Sequence, residues 1–145
     1  MRQELENVFA SWGMPDEAVA FLGKLWEACQ ALDDIKDGDQ IENRDSAIYT
    51  LIFDLPCDPF LGRYRPSLAP LMATAYYKWQ AANYVETSRE RSQLDKAFVW
   101  RASFYDVVLG VVALCLTPAE VHRLAPEVLR LYGERREDYV REFDA

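Results

Sequence analysis

The chain has 145 residues, half of them hydrophobic and 13% aromatic, with a formal net charge of −8. This length suggests a single domain over residues 1–145, and this apolar content excludes a disordered chain. The acidic balance excludes general nucleic-acid or anionic-membrane binding, because phosphate recognition needs basic surface.

Three cysteines, Cys29, Cys57 and Cys115, form no CxxC pair. Cys29 and Cys115 sit in apolar helical patterns and read as buried thiols, which fits a reducing compartment. The first residues start an amphipathic segment without an apolar signal core. The longest apolar run, 107–116, is too short for a bilayer. A cytoplasmic protein is expected, with neither a nucleic-acid nor a membrane partner.

Leu5, Val8, Phe9 and Trp12 give a first helix with one buried stripe, ended by Gly13. A second helix is expected over 15–37, with Ala18, Phe21, Leu22, Leu25, Cys29 and Leu32 inward. Gly38 supplies its stop. A third helix over 44–55 would turn Ile48, Leu51, Ile52 and Leu55 inward. The Pro/Gly-rich stretch 56–66 reads as a long loop: with two arginines and two aromatics it could bind an anion or act as a lid, and the favoured reading is a surface connection with Phe60 and Leu61 tucked into the core.

A fourth helix starts near Ser67 with the stripe Leu68, Leu71, Met72, Ala75 and Trp79. The stripe continues as Ala82, Asn83, Glu86 and Glu90, so an apolar face becomes polar without changing direction. Ser92 with Asp95 suggests the N-cap of a fifth helix. Its inward line is Leu94, Phe98, Arg101, Tyr105, Val108 and Val112. Thr117-Pro118-Ala119-Glu120 is a capping box opening a sixth helix through Val121, Leu124, Val128 and Tyr132, which Pro126 would kink. A last short helix carries Tyr139, Val140 and Phe143. No segment alternates with period 2. The expected fold is all-α, a compact bundle of six or seven helices with mostly antiparallel neighbours.

The chemistry concentrates at 33–39, where four aspartates fall in seven residues. Asp33 and Asp37 lie four apart on one helix face, where like charges repel each other and the helix C-terminus. Carboxylates so placed suit a hard divalent cation such as Mg2+. If successive helices alternate in direction, Asp33 and Asp37 share one end of the bundle with Asn83, Glu86 and Glu90. Arg101, early in the fifth helix, would then reach Glu86. The candidate metal ligands are Asp33, Asp37, Glu86, Asn83 and Glu90, with Arg101 a candidate phosphate clamp. Set against this, Glu86 and Arg101 make a plain buried ion pair, and 33–39 is an acidic helix end in water.

Asp33-Asp34-Ile35-Lys36-Asp37 resembles the aspartate-rich DDxxD motif of class I isoprenoid (terpenoid) synthases. That all-helical family uses the motif to hold Mg2+ against a diphosphate, and a second helix adds Asn, Ser/Thr and Glu at four-residue steps. Here Asn83 and Thr87 follow the first step, and the third falls on Arg91. The resemblance implies helix-borne aspartates, Mg2+ and a phosphorylated ligand. Tyr105-Asp106-Val107-Val108-Leu109 looks like the end of the ExxDVL helix of helical nucleotide pyrophosphatases of the MazG and dimeric dUTPase type, which also use helix-borne acids and Mg2+, with Ser103 in the glutamate's place. His122 is the only histidine, so no His-based metal site or second-histidine triad can be built.

Two functions follow from the sequence. One is an Mg2+-dependent site for a phosphorylated small molecule, with catalysis undecided. The other is a non-catalytic interaction or accessory protein, whose acidic end is solvated or meets a basic partner. Its four tryptophans and eight tyrosines would favour homo-oligomers or partner binding if exposed in patches.

Overall fold

Helices α1 (Arg2–Ser11) and α2 (Asp16–Asp37) open the chain in the computed structural model, which describes residues 1–144. They are followed by α3 (Arg44–Tyr49), which runs on into a π turn (Thr50–Asp54), and by the long α4 (Pro59–Ser88). A 3-10 turn (Arg91–Gln93) leads into α5 (Leu94–Trp100), then α6 (Phe104–Cys115), α7 (Pro118–Arg130) and α8 (Arg136–Arg141). The protein is all-α, with no strand among the described residues. The chain divides into two compact units, Met1–Leu68 with Leu114–Leu116, and Ala69–Ala113 with Thr117–Ala145.

In the first unit α1 packs on α2. Leu5 and Phe9 of α1 are buried, as are Ala18, Phe21, Leu22, Leu25, Ala28 and Ala31 of α2. The spacing is the 3.6-residue period of a one-sided helix. Gly23 lies against the tips of the Arg2 and Glu6 side chains, which pair across one turn of α1. Gly38 ends α2 in the left-handed region (φ 72°), which favours glycine. Its N–H and that of Asp39 close the last turn onto Ile35 and Asp34 carbonyls.

Residues 44–55 depart from the expected stripe. Leu55 is buried and Leu51 half-buried, but Ile48 and Ile52 are each more than half exposed. The π turn is the reason. Leu55 donates to the Thr50 carbonyl, five residues back instead of four. Each residue of the wider turn rotates less than the ~100° of an α-helix. Over the turn the lag amounts to roughly one residue, so Leu55 swings away from the line of Ile48 and Ile52.

The expected loop over 56–66 is mostly helix. Asp58 caps α4, its Oδ1 accepting from the Phe60 and Leu61 amides at 2.9 and 3.0 Å. Pro59 takes the first helical position, where its missing N–H costs nothing. Phe60 and Leu61 are buried, as expected. A kink at Tyr64 (φ −110°, ψ 22°) interrupts α4. Pro66 accounts for it, crowding the carbonyl four residues back and disfavouring helical geometry at Arg65.

In the second unit the stripe of α4 follows the expected line as far as Glu86. Ala75, Ala82 and Asn83 are buried and Trp79 and Glu86 half-buried. The helix ends at Ser88 with Arg89 in the left-handed region (φ 56°) and the Glu90 amide on the Val85 carbonyl. Glu90 is therefore exposed and beyond the helix. The expected continuous fifth helix is two helices, broken at 101–103, and Ser92 makes no side-chain cap. Arg91–Cys115 is nevertheless long and apolar enough to cross a membrane by length and composition, a longer stretch than the uniformly apolar 107–116. Thr117 and Glu120 form the expected capping box, and α7 continues through Pro126. Ala82, Leu94, Ala97 and Tyr139 form one buried cluster, with Val85, Phe98, Val140 and Phe143 packed against it.

Candidate functional site

The candidate residues fall in separate units. Asp33 and Asp37 belong to α2 in the first; Asn83, Glu86, Glu90 and Arg101 belong to the second. Within the second unit the hairpin of α4 and α5 does what the sequence suggests. Arg101 Nη1 donates to Glu86 Oε1 in an ion pair. The same carboxylate oxygen accepts from the Tyr139 hydroxyl at 2.8 Å. The Arg101 guanidinium also lies over the Tyr139 ring, 5.8 Å from its centre. Glu86 keeps only 11% of its side-chain exposure and Arg101 24%.

A carboxylate so placed needs both donors, because a charge taken from water is costly unless paired and hydrogen-bonded. In the sequence Tyr139 belongs only to the apolar stripe of the last helix. It is the third member of the group and is 1% exposed. Burial, then its bond to Glu86, holds the phenol above its usual range, so it stays a donor at neutral pH. An aromatic shell surrounds the group. Phe98 stacks tilted on Tyr132 and Tyr139 at 5.2 and 5.3 Å, and Tyr105 on Tyr132 at 5.8 Å.

Asn83 is buried at 8% exposure. Glu90 lines a groove of about 400 Å³ with Ala82, Val85, Ala97, Lys96 and Trp100. The groove is mainly apolar, with the glutamate and the lysine as its charged groups.

In the first unit Asp33 and Asp34 are half-buried, while Asp37 is 54% exposed on its side chain and lies 4.0 Å from Lys36. Among the described residues no three Asp, Glu, His or Cys side chains gather as a metal cage would require. Cys29, one turn before Asp33, has its thiol pushed up to about 12, first by burial and then by the Asp33 charge. Burial also raises Cys115, whereas Cys57 is exposed, and all three are free thiols. At pH 8 a small alkylating reagent should modify Cys57 within minutes in the native protein and Cys29 only after unfolding, as mass-mapped peptides would show.

No family model, curated protein or solved structure matches this chain.

The best-made polar group of the first unit lies outside the expected site. Asp58 is 3% exposed, and besides capping α4 it accepts from Lys24 Nζ at 2.9 Å. Asp54, in the π turn, approaches the same ammonium at 3.5 Å. Its hydrogen bond to Asp58, foremost, holds Lys24 above the ordinary lysine value, against the opposing effect of burial. The signal was present as Asp58-Pro59, an N-cap followed by proline at the first helical position. Both Asp58 oxygens have an internal partner, and the group joins α2, the π turn and α4.

Proposed function

We propose that this protein is a non-catalytic interaction or accessory protein. The observation that carries this reading is the state of Glu86. Its carboxylate is committed to Arg101 and Tyr139 inside its own unit. Arg101, the candidate phosphate clamp, is committed with it. The acids of 33–39 support the same reading, since they end a helix at an increasingly exposed terminus. Large apolar side chains left in water, among them Tyr49, Phe53, Tyr77 and Tyr84, offer contact area for a partner. The unpaired thiols favour a reducing, cytoplasmic setting.

A second reading rests on Asp33 and Asp37 alone. They stand one helical turn apart with side chains that reach solvent, a pair able to hold an Mg2+ that keeps most of its water and faces a phosphorylated ligand. Calorimetric titration of wild type and Asp33→Asn/Asp37→Asn with MgCl2 and MnCl2 tests both readings. The interaction reading expects no saturable heat and no metal-dependent thermal shift. Saturable Mg2+ heat in wild type that the double variant lacks would overturn it in favour of the metal site.

A further inference from the structure

We infer that the outer face of residues 45–53 is a docking surface for an amphipathic partner helix whose apolar face is edged with lysine and arginine. The inference rests on the interaction reading above and gives it a place and a partner chemistry. Ile48, Tyr49, Ile52 and Phe53 are 51–58% exposed, and the Tyr49 and Phe53 rings lie 5.9 Å apart. Ile48 with Ile52 and Tyr49 with Phe53 are each four residues apart and so share one side, while Leu55 and the Lys24-bound Asp54 hold the segment to the unit. Four large neighbouring apolar side chains in water are the composition of an interface centre, not of an ordinary helix exterior.

Charge selects the occupant. Residues 33–45, which lead into this face, hold six carboxylates against Lys36 and Arg44, a net of four negative charges out of the chain's eight. Asp45 lies on the exposed face itself. A second copy would carry the same acidic balance beside its own face, and an anionic bilayer would be repelled. A basic rim on the partner removes that repulsion and speeds encounter, with an apolar centre supplying the burial.

The test uses the full chain and two labelled synthetic amphipathic helices, identical in their leucine face, one flanked by lysines and the other by glutamates. The lysine peptide should bind in the micromolar range and weaken with added salt. Ile48→Ser/Phe53→Ser should weaken it about tenfold or more while leaving the melting temperature unchanged. Asp37→Asn/Asp45→Asn should weaken it less and flatten the salt dependence. The glutamate peptide and phosphatidylserine vesicles should not bind, and sedimentation should show no dimer that Ile48→Ser/Phe53→Ser dissolves. Equal binding of both peptides, no binding of either, insensitivity to the serine variant, or such a dimer would each overturn the proposal. Failure here with no Mg2+ heat sinks this face alone, whereas saturable Mg2+ heat sinks the interaction reading beneath it.

Discussion

Glu86→Gln is expected to destabilise the protein by about 2–4 kcal/mol, read as the urea midpoint in metal-free buffer. Removing one partner of a buried pair leaves the other charge without compensation, a loss of about 3–5 kcal/mol when burial is complete. Arg101 keeps a quarter of its side-chain exposure, which places the expected value lower. The Tyr139 hydroxyl also loses its charged acceptor. For a chain of this length the loss corresponds to roughly 10 °C in melting temperature. Glu86→Leu/Arg101→Met should recover more than half of it, because an apolar pair of similar volume needs no compensation. If Glu86→Gln melted like wild type without metal and lost a metal-induced stabilisation instead, Glu86 would be a ligand and not a structural anchor.

Asp58→Ala is expected to cost about 3 kcal/mol, the sum of a lost helix cap and a stranded ammonium. Two amides of α4 lose their acceptor, and Lys24 loses its closest counter-charge. Asp58→Asn keeps an acceptor for the amides and should cost about half as much. The Lys24 pairing also has a pH signature. Its folded value is raised, so its contribution is complete below the unfolded value of about 10.4 and is lost as pH climbs through the higher folded value. Tyr132 and Tyr139 are raised too, in their case chiefly by burial, and they lower stability in the same alkaline direction. The difference between wild type and Lys24→Met isolates the lysine. It should be constant from pH 6 to 9 and shrink above pH ~10 in urea melts. A constant difference up to pH 12 would exclude the pairing.

Much of the helical content was legible because burial repeats with a fixed period. The stripes of α2 and α4 and the box at Thr117 follow local rules that few residues can satisfy otherwise. The approach of Arg101 to Glu86 was legible too, since a short connection forces two helices into a hairpin whose levels can be counted. Tyr139 was not, because it comes from 53 residues further along the chain and joins through tertiary packing. At 56–66 the prolines outweighed the Asp58-Pro59 start signal, although proline opens helices as readily as it ends them. At 48–55 the failure was one of period. A constant 100° per residue cannot register a turn that closes on the fifth residue, so Ile48 and Ile52 were assigned to the wrong side.

The π turn at Thr50–Asp54 also makes this segment unusual with respect to insertion and deletion. It holds one residue beyond the needs of a regular α-helix. Losing a residue elsewhere in α2 or α4 would swing everything beyond it by ~100° and expose a buried stripe. Losing one here would convert the turn to α-helix while α3 and the cap at Asp58 kept their phase. The outer apolar set would be reshuffled and the helical framework left intact. Chain length at this point is thus a means of altering the surface without rebuilding the interior.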